Sequence, residues 1–538
     1  MKLNAQSLKD RKVWEDKGYK IPSYDRPAMI EATINAPEWV HFGAGNLFKA
    51  FLARDAEELL NAGVLNKGII AVEGFDPSIV AINNSHDNLA LAVTLKHDGS
   101  IDKTVVGSIA ETVLMDPNEA AAWEEMKRIM SAPSLQMASF TITEKGYAIT
   151  DAAGELLPLV KEDFENGPEA PKSYLGKAAS LLYTRFLANK APVALVSMDN
   201  CSHNGEKLQK ALMAYAKAWA ANGKVSEDFV KWLSDDSAVS FPWTMIDKIT
   251  PRPDESVKEM LAADGLEDVD PIKTDRGSFV APFVNAEETE YLVVEDKFPN
   301  GRPALSEAGI LFTDRDTVNK VETMKVTTCL NPLHTAMSIF GVLLDYNLIS
   351  AEMKDEDIVA LIKTIGYKEG LPVVVDPKIL NPKEFVDTVI EVRFPNPFMP
   401  DAPQRIATDT SQKLSVRFGN TIKKYMADET LDVNDLKLIP LVYAGWIRYL
   451  LATDDNGKGF ELSADPLHSQ VLPVLKNISL GDQVTVDDLA PILTNANIFG
   501  LDLVETGLAE TVVEWFNKLN AGKGAVRKTL HEAVKGDE

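Results

Sequence analysis

The stretch "VETMKVTTCLNPLHTAMSIFG", residues 321–341, places Lys325, Asn331 and His334 within ten residues. A lysine can move a proton at neutral pH if burial or a nearby cation lowers its pKa from about 10.4. A carboxamide N–H can hold a developing oxyanion in a dry site. Each residue also has a plainer reading. Lys325 can sit on the wet face of an amphipathic helix, and His334 can be a satisfied core histidine. Asn331 precedes Pro332, the pattern of a helix N-cap followed by proline at the first helical position.

A second candidate lies near the N-terminus. In "HFGAGNLFKAF", Gly43 and Gly45 separate a strand pattern from a helical one that opens at Asn46. A dinucleotide site needs one glycine for the tight turn and another so that backbone N–H groups approach the pyrophosphate at the helix N-terminus. The third glycine of the usual fingerprint is missing, and Phe48 stands in its place. The next strand pattern, "GIIAVEG", ends in Glu73, a carboxylate able to accept from adenosine ribose hydroxyls. An acid there repels a 2′-phosphate and favours NAD over NADP. A solvated acid at a strand end explains Glu73 equally well.

More polar groups end other strand patterns. "SFTITEKGY" carries Glu144 and Lys145 before Gly146, and "SMDNCSHNGEKL" carries Asp199, Asn200, His203 and Asn204. Carboxyl ends of strands line the ligand crevice of an open α/β sheet, although Asn, Asp and Gly are also ordinary turn residues. "FPWTMIDKITP" holds Asp247 and Lys248, and "RFPNPFMPDAPQRIATDTSQKL" holds Arg393, Arg405 and Lys413. Solvated surface charge is the plain reading for these.

The elements that must position these residues fall into two kinds. Up to about residue 300, apolar runs such as "EWVHF", "GIIAVE", "LALAVTL", "QMASFTIT" and "VALVSMD" alternate with helical patterns, which predicts a parallel α/β sheet. Beyond it, "DEDIVALIKTIGY", "PKEFVDTVIEVRF", "DLKLIPLVYAGWIRYLLA", "LAPILTNANIF" and "LAETVVEWFNKLNAG" all have helical period. A chain of 538 residues is too long for one core. We therefore expect an α/β domain over 1–288 and a mostly α-helical one over 289–538.

A net charge of −25 argues against a nucleic-acid backbone or an anionic membrane as partner. It leaves a small anionic substrate open, because a few local cations can dominate one pocket. The two cysteines, Cys201 and Cys329, suggest neither a disulfide framework nor a cysteine-built zinc site. The charged N-terminus has no apolar signal region and no run approaches bilayer length, so a cytoplasmic location is expected. The oligomeric state is not encoded legibly.

Taken in order, "FGAGNLFKAF", "TITEKGY", "SMDNCSHNGEKL", "FPWTMIDKITP", "VVEDKFPNGRP", "VETMKVTTCLNPLHTA" and "RFPNPFMPDAPQRIATDTSQKL" resemble the polyol-specific long-chain dehydrogenase/reductase family. That family includes mannitol dehydrogenase, fructuronate reductase and tagaturonate reductase, and the likeness runs from about residue 38 to 415. It implies an N-terminal Rossmann-type domain, a mostly helical C-terminal domain, NAD as cofactor and no metal. It further implies Lys325 as general acid/base, with Asn200 and Asn331 holding the reacting oxygen and His334 orienting the substrate. Asp247 would lie near the site, and Arg405 and Lys413 would bind substrate hydroxyls or a carboxylate. The candidate cofactor-binding set is Gly43, Gly45, Asn46, Glu73 and Glu144. Glu322, three residues before Lys325, matches a family glutamate beside the catalytic lysine.

One spacing departs from the family. Five residues, "VTTCL", separate Lys325 from Asn331 where the family has four. On a regular helix of about 100° per residue, the nine-residue step from Lys325 to His334 puts them about 180° apart. The family's eight-residue step leaves about 80°. The sequence therefore predicts an irregular backbone within residues 326–332, either a π-bulge or a break at Pro332.

The first expectation is an NAD-dependent reductase of a keto-hexuronate such as fructuronate or tagaturonate. The alternatives are a neutral polyol dehydrogenase and a noncatalytic sugar- or nucleotide-binding relative.

Overall fold

The computed structural model describes residues 1–535, and the chain divides into two compact units. One comprises Met1–Lys96 with Ser100–Asn319, and the other runs from Lys320 onward, with His97–Gly99 grouped with it.

The first unit is built on six parallel strands: β1 (Trp39–Phe42), β2 (Ile69–Glu73), β3 (Ile109–Leu114), β4 (Met137–Phe140), β5 (Val193–Ser197) and β6 (Val239–Ser240). Their spatial order is β3-β2-β1-β4-β5-β6, with register fixed by pairs such as Val40 with Ile70 and Trp39 with Met137. Every residue of β1, β2, β4 and β5 is buried. Alternation sends Val40, Phe42, Ile70 and Val72 into one core and Trp39, Ile69 and Ala71 into the other. This is the doubly wound arrangement, whose strand order reverses beside β1.

Two expectations about this unit are adjusted. The run "LALAVTL" forms a strand, Ala90–Leu95, but it joins a separate mixed sheet with Ile101–Val106, Phe283–Glu287 and Tyr19–Lys20. The unit also extends past residue 288. Tyr291–Glu295 pairs antiparallel with Thr244–Asp247, Leu311–Thr313 adds a third strand, and Leu292 and Val294 enter the core with Ile246. Those backbone bonds tie the segment to the α/β unit as far as Asn319.

The second unit contains no β-strand among the described residues. Its central helices, Asn331–Leu343 and Leu438–Tyr449, are buried over almost their whole length. The helical run Arg315–Leu343 is long and apolar enough to cross a membrane by length and composition, contrary to the sequence expectation, but 78% of its most apolar window is buried. Four segments here carry π-type turns: Lys325–Cys329, Thr364–Gly370, Val389–Arg393 and Ser415–Gly419.

Candidate active site

In the α/β unit, β1 ends in the predicted glycine turn. Gly43 has φ +108°, and a Cβ there would lie 2.1 Å from the Thr141 carbonyl oxygen on the neighbouring chain segment. Only glycine fits, because both its conformation and its contact exclude a side chain. Its N–H donates to the Val72 carbonyl at 2.9 Å, locking the turn to β2. At Gly45 a Cβ would meet nothing within 4 Å, so this side of the turn is open to a ligand. Helical structure starts at Asn46, and the Lys49 N–H donates to the Gly45 carbonyl at 3.1 Å.

Glu73 is not a solvated strand-end acid. It is 7% exposed, and its Oε1 accepts from the N–H groups of Phe75 at 2.7 Å and Asp76 at 3.0 Å. Beyond it lies a cavity of about 320 Å³ lined by Gly74, Phe75, Asp116, Lys172, Lys177 and Arg276. The tight glycine turn, the open face at Gly45 and this cavity fit a dinucleotide laid across the strand ends. Glu144 opens a short turn after β4, is largely exposed and pairs with Lys207 at 2.5 Å.

After β5 the polar residues divide the work. Asp199 is buried and accepts from the Ile142 and Thr143 N–H groups and from the Tyr147 hydroxyl, so it braces the loop after β4. Burial raises its pKa, opposed by those hydrogen bonds. Asn204 is also structural: its Nδ2 donates to the Asp199 carbonyl and to Thr244 Oγ1. Asn200, between these braced positions, is exposed. Asp247 is buried and closes the strand Thr244–Asp247.

The helix Arg315–Met324, of which Lys320–Met324 belongs to the helical unit, runs into the π-turn Lys325–Cys329, and Leu330 breaks the helical path before Asn331 starts the next helix. The Leu330 N–H donates to the Lys325 carbonyl at 3.1 Å, a bond five residues long. The irregularity, a π-turn over Lys325–Cys329 followed by non-helical Leu330, overlaps the expected window 326–332. Lys325 is 4% exposed, which removes the surface-lysine reading. Glu322 is half-buried one helical turn earlier.

Asn331 and His334 share a face of the following helix by their three-residue spacing. Asn331 Oδ1 and His334 Nε2 are both buried without a hydrogen-bond partner. His334 stacks on Phe394 with centroids 5.2 Å apart, and its Nε2 is 3.8 Å from Asp401 Oδ2. Burial pushes the His334 pKa down to about 4, the cations Arg417, Arg393 and Arg405 acting in the same direction against Asp401. The imidazole is therefore neutral at ordinary pH.

The cations around it differ in how they are used. Arg405 is exposed and ion-paired with Asp401. Lys413 Nζ donates to the carbonyls of Ile406, at 3.0 Å, and Thr408, while burial and the neighbouring Arg417 lower its pKa to about 8. Arg393 is buried at the end of its π-turn. Arg417, whose pKa burial lowers to about 10, donates through Nη1 to the Thr335 hydroxyl.

The helical unit thus gathers Lys325, Asn331, His334, Arg405 and Lys413, while Gly43, Gly45, Asn46, Glu73, Glu144, Asn200 and Asp247 belong to the α/β unit at or beside strand ends. Arg417 and Asp401 escaped the sequence reading. The signal for Arg417 was available. Lys413 and Arg417 are like charges four residues apart, a pairing that destabilises a helix unless an anion or another purpose compensates it.

Comparison with known proteins gives matches along nearly the whole chain. Residues 37–307 match the family description "Mannitol dehydrogenase Rossmann domain", and residues 317–520 match "Mannitol dehydrogenase C-terminal domain". The chain is 48% identical to D-mannonate oxidoreductase of Thermotoga maritima, over 99% of each chain. A crystal structure of D-sorbitol dehydrogenase in substrate-free form aligns with TM-score 0.79 and 26% identity, covering 96% of this chain and 97% of that one. The Pseudomonas fluorescens mannitol 2-dehydrogenase ternary complex with NAD and D-mannitol aligns with TM-score 0.68 and 25% identity, covering 99% and 100%.

Proposed function

Because the chain belongs to the mannitol dehydrogenase family, and is an NAD-dependent secondary-alcohol oxidoreductase acting on a polyol or sugar acid, we propose that its substrate is a keto-hexuronate reduced to the aldonate. One observation carries the choice of an acid over a neutral sugar: His334, whose Nε2 is unpartnered, is faced by Arg417, Arg393 and Arg405 against the acid Asp401. A cation excess beside an unpartnered buried ring nitrogen suits a substrate carrying a carboxylate. The 48% relative named for D-mannonate, itself an aldonate, supports the same choice.

In this reading the glycine turn holds the pyrophosphate through Gly43, Gly45 and Asn46, and Glu73 and Glu144 bind beside it. NADH, when bound, supplies the hydride. Lys325 donates the proton to the carbonyl oxygen and recovers it in the oxidative direction. The carboxamide of Asn331 holds that oxygen as charge develops on it. His334, kept neutral, orients a substrate hydroxyl through the ring nitrogen that the fold leaves unpartnered. Arg405 and Lys413 complete the polar lining.

A neutral polyol or ketose is the second reading, favoured by the solved relatives named for sorbitol and mannitol. The test is an NADH-oxidation screen over fructuronate, tagaturonate and fructose. We expect kcat/KM on a keto-hexuronate to exceed that on fructose by at least about 100-fold, as when a buried polar site meets an analogue lacking its partner. Equal or better turnover of fructose would replace this proposal by the second reading.

A further inference from the structure

Resting on the keto-hexuronate reading, we infer that Arg417 is the residue that receives the substrate carboxylate and so sets the preference for sugar acids over neutral sugars. Among the described residues the Arg417 side chain has no carboxylate partner, and its one hydrogen bond goes from Nη1 to the neutral Thr335 hydroxyl. A half-buried guanidinium without an anion is costly, and a planar fork of N–H donors matches a carboxylate. Of the neighbouring cations, Arg405 is engaged by Asp401 and Lys413 by two backbone carbonyls.

The placement is as specific as the chemistry. Arg417 lies in the π-turn Ser415–Gly419, which packs against the π-turn carrying Lys325 and against the helix carrying Asn331 and His334. Gly419 makes that approach close elsewhere too, since a Cβ there would lie 2.1 Å from the Phe499 carbonyl. Thr335, which aims the guanidinium, follows His334 directly and is 1% exposed. One short helical face therefore carries the carboxamide, the imidazole and the hydroxyl that positions Arg417.

The test compares wild type, Arg417→Leu, Arg417→Lys and Thr335→Val on fructuronate, tagaturonate and fructose, with NADH fluorescence binding as the folding control. We expect Arg417→Leu to lower the uronate-over-fructose ratio of kcat/KM by about 10- to 100-fold, mainly through KM for the uronate. Arg417→Lys restores part of the ratio, because it keeps the charge and loses the fork. Thr335→Val, which removes only the aiming hydroxyl, gives a smaller loss of the same sign. If wild type prefers the uronate and Arg417→Leu keeps that ratio, the assignment of Arg417 is wrong while the keto-hexuronate reading stands. If wild type itself prefers fructose, the keto-hexuronate reading fails and the inference falls with it.

Discussion

The carbonyl oxygen of Lys325 accepts a hydrogen bond from the N–H of Leu330, five residues on, at 3.1 Å. That bond defines the π-turn through Lys325–Cys329 and adds one residue to the helical path there. Without it, Lys325 and His334 would face opposite sides of one helix. With it, a buried lysine and a helix bearing two unpartnered polar atoms follow one another directly.

The first prediction concerns that lysine. Lys325→Ala should lower kcat on the best keto-hexuronate by about 100- to 10,000-fold, the range for loss of a general acid. NADH binding, which depends on the α/β unit, should persist in a fluorescence titration. Turnover close to wild type would remove Lys325 from the mechanism.

The second concerns cofactor choice. Glu73 combines a carboxylate at the end of β2 with backbone acceptance from Phe75 and Asp76. Glu73→Gln keeps an acceptor for those N–H groups and removes the negative charge that repels a 2′-phosphate. The ratio of kcat/KM for NADH over NADPH should fall by about tenfold, the worth of about 1.4 kcal/mol. A ratio unmoved by the change would show that Glu73 only braces the turn.

The sequence made the frame of this protein legible because its signals are local. The apolar runs "EWVHF" and "GIIAVE" became β1 and β2, and the paired glycines became a turn in which Gly43 is sterically required. The π-turn at Lys325 was legible only as a mismatch against the family spacing. The turns at Val389–Arg393 and Ser415–Gly419 left no such mark, since a single extra backbone residue scarcely disturbs an apolar helical pattern. "LALAVTL" reads as a strand, but its sheet is chosen by the distant Phe283–Glu287, which no local pattern reveals. Arg417 carried in the sequence only the mark of a like charge four residues after Lys413, and its setting depends on how its turn packs against the Lys325 segment.

The last prediction concerns a buried acid outside the proposed mechanism. Glu352 is 0% exposed and neither of its carboxyl oxygens has a hydrogen-bond partner. It lies so close to the helix Asn331–Leu343 that a Cβ on Gly341 would be 2.4 Å from its Oε1. Burial first, and the charge of Asp355 second, raise its pKa well above the usual carboxylate range. The folded protein therefore keeps a proton on Glu352 at pH values where the unfolded chain has released it. That contribution to stability is fully present below about pH 4.5 and is lost as pH rises toward the folded-state value. Glu352→Gln has nearly the same shape and no proton to lose, so it should be more stable than wild type at neutral pH by about 1–3 kcal/mol. The gain in Tm should shrink as pH is lowered through 5 and vanish near pH 4. Parallel melting curves for the two proteins across that range would mean that Glu352 is not held neutral by the fold.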